Sequence, residues 1–139
     1  MVLTDKSNLE KILIEQVSSA GSVGLVTHKD PDGDGLPACL MLKKILNCYG
    51  VQSSVILERD LSDKYDFLSA REIVEVFQEN MHFELLILLD CHESERIGRC
   101  SPLVTKAKEV IAIDHHPSNN LIKSSYTYID ADVVSTGVL

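Results

Sequence analysis

The chain has 139 residues, 45% of them hydrophobic and 24% charged, with a net charge of −8. That balance suits one ordinary globular domain and excludes a disordered, collagen-like or disulfide-rich chain. The acidic excess argues against a dedicated duplex-DNA binder, which carries a basic stripe. It is compatible with a phosphorylated substrate if divalent cations reverse the local charge where carboxylates gather.

In chain order, Leu9, Ile12, Leu13 and Val17 recur at helical spacing and predict a helix over 8–17, closed by Gly21. Val23 to Thr27 is a short apolar run, read as a buried strand, and 29–35 is a Gly-, Pro- and Asp-rich loop. A second amphipathic helix is predicted over 36–49, with Pro37 in its first turn and Gly50 as its stop. A strand follows at 52–57, an irregular stretch at 61–67, and a third helix at 70–79. Leu85 to Leu89 predicts a buried strand that ends at Asp90, and 103–107 a short helical turn. Val110 to Ile113 predicts another, ending at Asp114, and 126–129 a last one, ending at Asp130. A final helix is expected to begin near Ser135.

Strands that are continuous apolar runs and alternate with helices belong to a sheet covered on both faces. The fold class expected is therefore α/β, a three-layer α/β/α arrangement around a mostly parallel, Rossmann-like sheet. Cys39, Cys48, Cys91 and Cys100 include no C-x-x-C pair, so reduced thiols are a better reading than a zinc site. Residues 1–20 lack a signal-peptide core and no apolar run is long enough to span a bilayer, so a cytoplasmic protein with no membrane partner is expected.

Three strand ends carry the chemistry. They are His28-Lys29-Asp30-Pro31-Asp32-Gly33-Asp34, Asp90-Cys91-His92 and Asp114-His115-His116-Pro117. In a parallel α/β sheet all strand carboxyl ends share one edge, and ligands bind there. Imidazole and carboxylate together suit manganese, iron or zinc, and a carboxylate-rich set favours manganese or magnesium. A pair of cations needs a bridging carboxylate and ligands on each side. Asp90, on the middle strand, is placed to bridge. His28, Asp32 and Asp34 lie on a glycine-containing loop that can aim them at different cations, and His115 can complete the second set. Acids at strand ends also cap helices and turns. That alternative suits one cluster; it suits three clusters at three strand ends poorly.

The three motifs, in this order, resemble the DHH family of phosphoesterases, over the chain from about Val23 onward. The family includes the single-strand exonuclease RecJ, nano-RNases, cyclic-dinucleotide phosphodiesterases and manganese pyrophosphatases. The resemblance implies His28 and Asp32 on a first metal, Asp34 and His115 on a second, and Asp90 between them. It implies His116 against substrate phosphate, with Asp90 and His116 as the catalytic pair, and Asp114 orienting the histidines behind them. Ser135 and Thr136 resemble a serine-rich helix start in nano-RNase-like members and are candidate substrate contacts, with a simple helix cap as the equally good alternative. Lys29 and Arg96 lie near the same edge and could meet phosphates. His92 follows the expected bridge, and strand alternation aims it elsewhere.

What the resemblance implies for activity is hydrolysis of phosphodiester or phosphomonoester bonds in short single-stranded oligonucleotides or 3′-phosphoadenosine 5′-phosphate. The cofactor implied is two Mn2+, with Mg2+ or Co2+ as substitutes, and a homodimer is a possible assembly. The alternatives are a pyrophosphatase or exopolyphosphatase-like hydrolase, or a non-catalytic nucleotide-binding module. Family members also supply a further aspartate to the second metal, from a strand beyond this chain, and carry a C-terminal substrate-gripping domain. Asp130 and Asp132 do not match that aspartate in motif order. The expectation is thus an N-terminal DHH domain over 1–139, truncated, with a weak second metal site and little activity alone.

Overall fold

The computed structural model describes residues 1–117 and 120–139. Its strands are β1 (Val2–Leu3), β2 (Val23–Val26), β3 (Ser53–Leu57), β4 (Val74–Val76), β5 (Leu85–Leu89), β6 (Glu109–Asp114) and β7 (Tyr126–Ile129). Its helices are α1 (Lys6–Ser19), α2 (Gly35–Cys48), α3 (Ser94–Ile97) and α4 (Ser101–Lys106). The strands form one seven-stranded sheet in the order β1-β7-β6-β5-β2-β3-β4, and every neighbouring pair is parallel.

That order sets the site. From β2 the chain steps outward to β3 and β4; it then returns to β5 and steps the other way through β6 and β7. The direction reverses between β2 and β5, which leaves a crevice at their carboxyl ends. His28 follows β2, Asp90 follows β5 and Asp114 ends β6, so the three clusters stand side by side.

Side-chain alternation splits the core into two layers. Leu25, Val55, Leu85, Ile87, Ile111 and Ile113 face one way, with Leu9 of α1 and Cys39 and Leu46 of α2. Val26, Ile56, Leu86, Leu88, Val110 and Ala112 face the other, with Ile97 of α3 and Leu103 of α4. Every residue of β5 is buried, because helices cover both faces of the central strand. α1 starts at Asp5, whose carboxylate accepts the Asn8 N–H at 2.9 Å, a side-chain N-cap.

Several elements differ from the sequence expectation. Residues 70–79 are not a helix. The N–H groups of Ile73 and Val74 both donate to the Ala70 carbonyl, and the turn they make leads into β4, paired with β3. Val74-Glu75-Val76 alternates and is β-branched, so the open edge of β3 outweighs the local helical spacing. Residues 63–68 form a 3-10 helix where an irregular stretch was expected, and β1 was not anticipated. The short turn expected over 103–107 belongs to a longer helical stretch, α3, a 3-10 turn at Gly98–Cys100, and α4. The final helix expected to begin near Ser135 is present as a 3-10 turn at Thr136–Val138.

Candidate metal centre

Asp90 stands at the middle of the crevice, fully buried. Its backbone is left-handed, φ +60°, a conformation that aspartate tolerates better than most side chains. Its amide still donates to the Ile113 carbonyl at 3.0 Å, so the turn away from the sheet is abrupt. The side chain offers one oxygen to each side. Oδ2 lies 3.4 Å from His28 Nε2, which in turn lies 3.4 Å from Asp32 Oδ2. Oδ1 lies 3.6 Å from His115 Nε2, itself 3.3 Å from Asp34 Oδ2. Oδ1 is also 3.2 Å from His116 Nδ1.

The loop after β2 holds its acids by local hydrogen bonds. Asp32 Oδ1 accepts the N–H groups of Asp34 (2.9 Å) and Gly35 (3.0 Å), so Asp32 caps the start of α2 with one oxygen and keeps the other for the crevice. Partial burial pushes the Asp32 carboxyl up, but those two amides together with the neighbouring His28 outweigh it and hold it below the ordinary range. Asp34 Oδ2 accepts the Thr136 N–H at 2.8 Å, and its Oδ1 accepts the Gly137 N–H at 3.2 Å. The Thr136 hydroxyl donates to Asp90 Oδ1 at 3.3 Å.

Asp114 is buried behind the histidines. Its Oδ1 accepts the N–H groups of His115 (2.7 Å) and His116 (3.0 Å) and bonds His116 Nδ1 at 2.8 Å. Its Oδ2 meets His92 Nδ1 at 2.5 Å. Burial pushes this carboxyl up; the His116 amide and the two imidazoles overcome that and hold it low. Oδ1, with three protein partners, has no lone pair left, and Oδ2 is taken by the fully buried His92. Asp114 groups with Asp90, His115 and His116 by proximity, but it has little left to offer a cation.

A cation fits this arrangement on one observation above all. His28 Nε2 and Asp90 Oδ2 are buried, face each other, and have no hydrogen-bond partner among the described residues. A buried polar atom left unmade costs about 1–3 kcal/mol, and a divalent ion between these donors would remove that cost. His28, Asp32 and Asp90 form one group of candidate donors, all within 4.8 Å of one another.

Among the other expected residues, Ser135 makes no side-chain cap to the final turn. Thr136 is buried, with its donors turned to Asp34 and Asp90. Arg96 touches the site loop through its backbone, whose carbonyl accepts the Lys29 N–H at 2.7 Å; Lys29 itself is exposed. Sequence reasoning missed three neighbours of the centre: His92 as the partner of Asp114, Gly137 as a donor to Asp34, and Gly35. A Cβ at Gly35 would lie 2.0 Å from Thr27 Oγ1 and 3.2 Å from Asp90 Oδ2, so the start of α2 approaches β2 and the crevice through a bare backbone. The glycine beside the acidic loop was a visible signal; its neighbour across the fold was not.

A family model for the DHH family, N-terminal domain, matches residues 22–139. The chain belongs to the DHH family. A curated DHH-type relative, the bifunctional oligoribonuclease and PAP phosphatase NrnA of Mycoplasma pneumoniae, is 24% identical over 129 residues, 88% of this chain and 39% of that protein. The crystal structure of an exopolyphosphatase-related protein from Bacteroides fragilis superposes with a TM-score of 0.83 at 21% identity, over 96% of this chain and 42% of that one. That likeness establishes the fold. The chain spans about two fifths of the length of each of these proteins. Members of the DHH family are phosphoesterase hydrolases that depend on metal, and the acid–histidine cluster here could bind one. Among the described residues no helix is long and apolar enough to cross a membrane.

Proposed function

We propose that this DHH domain is the metal-binding part of a phosphoesterase that cleaves short single-stranded oligonucleotides or removes a phosphate from 3′-phosphoadenosine 5′-phosphate. The observation that carries the reading is the division of Asp90, with one oxygen turned to His28 and Asp32 and the other to Asp34 and His115. His28, Asp32 and Asp90 would hold one cation; Asp34, His115 and Asp90 would hold the second. A carboxylate-rich set with imidazoles suits Mn2+, with Mg2+ or Co2+ as substitutes. Bound there, the cations supply activation of a water and neutralisation of the phosphoryl charge.

The chain's own residues position the rest. His116 is bonded to Asp114 through Nδ1, and its side chain is 44% exposed, so Nε2 is the nitrogen left to meet a phosphoryl oxygen. Asp114, anchored on its far side by His92, keeps that ring from turning. The choice of substrate rests on the DHH-type relative named as an oligoribonuclease and PAP phosphatase.

The test is an assay of the intact native protein with Mn2+ on dinucleotides, 3′-phosphoadenosine 5′-phosphate and pyrophosphate. Release of mononucleotide or of phosphate from the bisphosphate is expected. Cleavage of pyrophosphate alone would move the protein to the pyrophosphatase reading, and no hydrolysis of any substrate would sink the enzyme reading.

A further inference from the structure

Thr136 touches one side of the centre and leaves the other alone. Its amide donates to Asp34 Oδ2, the oxygen that faces His115 Nε2. Its hydroxyl donates to Asp90 Oδ1, the oxygen on that same side. No contact joins it to His28 or Asp32 among the described residues. The side chain is only 4% exposed, so it is walled off from solvent and from a substrate in the crevice. Gly137 adds a second amide to Asp34 Oδ1, so both oxygens of that carboxylate are fixed by the turn at 136–138.

Two carboxylates that face each other across a gap repel, and each has its own rotamers to lose before it can share an ion. A hydroxyl and two amides that donate to both carboxylates offset the repulsion and fix the rotamers beforehand. The donors lie on the Asp34–His115 side alone. We propose that Thr136 is a positioning residue for the second of the two cations, holding Asp34 and Asp90 Oδ1 in register with His115, and that it neither meets substrate nor serves the first cation. The proposal rests on the two-cation reading above.

The test is a Mn2+ titration of the intact native protein, followed by calorimetry and by the electron paramagnetic resonance signal of free Mn2+. Wild type, Thr136→Val and Thr136→Ser are compared. Wild type is expected to take up two ions. In Thr136→Val, which keeps the amide and removes the hydroxyl, the step belonging to the second ion should weaken by about 10-fold or more, the range for losing an outer-shell partner. The other step should keep its affinity, and Thr136→Ser should restore both. The melting temperature of the metal-free protein controls for folding; if the Val variant fails to melt cooperatively, Thr136→Ala replaces it. Two uptake steps that both weaken, that both stay unchanged, or that serine fails to restore would overturn the proposal alone. A single uptake step in wild type would overturn the two-cation reading, and this proposal with it.

Discussion

On the Oδ2 side of Asp90, His28 and Asp32 are four residues apart, and both hang from the end of β2 and its loop. Asp32 is fixed by amides two and three residues away. On the Oδ1 side the ligands are brought together over long range. Asp34 is held by an amide 102 residues distant, and His115 comes from the end of β6. One half of the centre is a property of a loop, and the other is a property of the whole sheet. Both halves share Asp90 and so require β5; beyond that the first needs only the loop after β2, whereas the second also requires β6 and the closing turn to be docked.

The largest effect should come from the residue the halves share. Asp90→Asn keeps a side chain that tolerates the left-handed backbone but removes the charge, so both Mn2+ steps should be lost in a titration while the fold survives. Loss of one step only would show that Asp90 serves one side. Next is Asp114→Ala, which strands the His115 and His116 amides and two imidazoles on the long-range side. A cost of about 3 kcal/mol or more is expected from urea unfolding of the metal-free chain at neutral pH. The Asp114 carboxyl is held low in the folded state, so its contribution is complete above the unfolded value of about 3.9 and is lost as pH falls through the lower folded value. The gap between wild type and variant should therefore narrow in acid; a gap independent of pH would refute the assignment.

Gly35→Ala comes third. Its new methyl meets Thr27 Oγ1 at the floor of the loop, so about 1–3 kcal/mol of stability should go, read from the same urea midpoints. The smallest change in stability, within about 0.5 kcal/mol, is expected for Asp32→Asn, whose side-chain oxygen still caps α2. Its cation effect should fall on the first ion only. A loss of the second ion in Asp32→Asn would break the division between the two sides.

The same division explains what could be read from the sequence. β2, β5 and β6 are largely apolar runs of the right length for buried parallel strands, and each of the three acid–histidine clusters begins where one of them stops. Spacing alone therefore brought His28, Asp32, Asp90 and His115 to one edge. Val74-Glu75-Val76 was misread because three residues carry too little periodicity, and the edge of β3 that recruits them is a tertiary fact. The docking of Thr136 and Gly137 on Asp34 left no local trace, since any Ser or Thr before a glycine reads as an ordinary turn. Alternation aims His92 away from the Asp90 crevice, and its partner Asp114 could be named only once β5 and β6 were seen to be neighbours.

β1 has two residues and β4 three, while the strands between them run to four, five and six. An exposed strand border is an invitation for another chain to add itself, and the length of free backbone sets how strong the invitation is. Among the described residues the longest and most apolar strands lie in the interior, and the β4 border offers little to stack upon. Adding apolar residues to β4 would be a direct way to make this protein fibrous, without touching the centre at all.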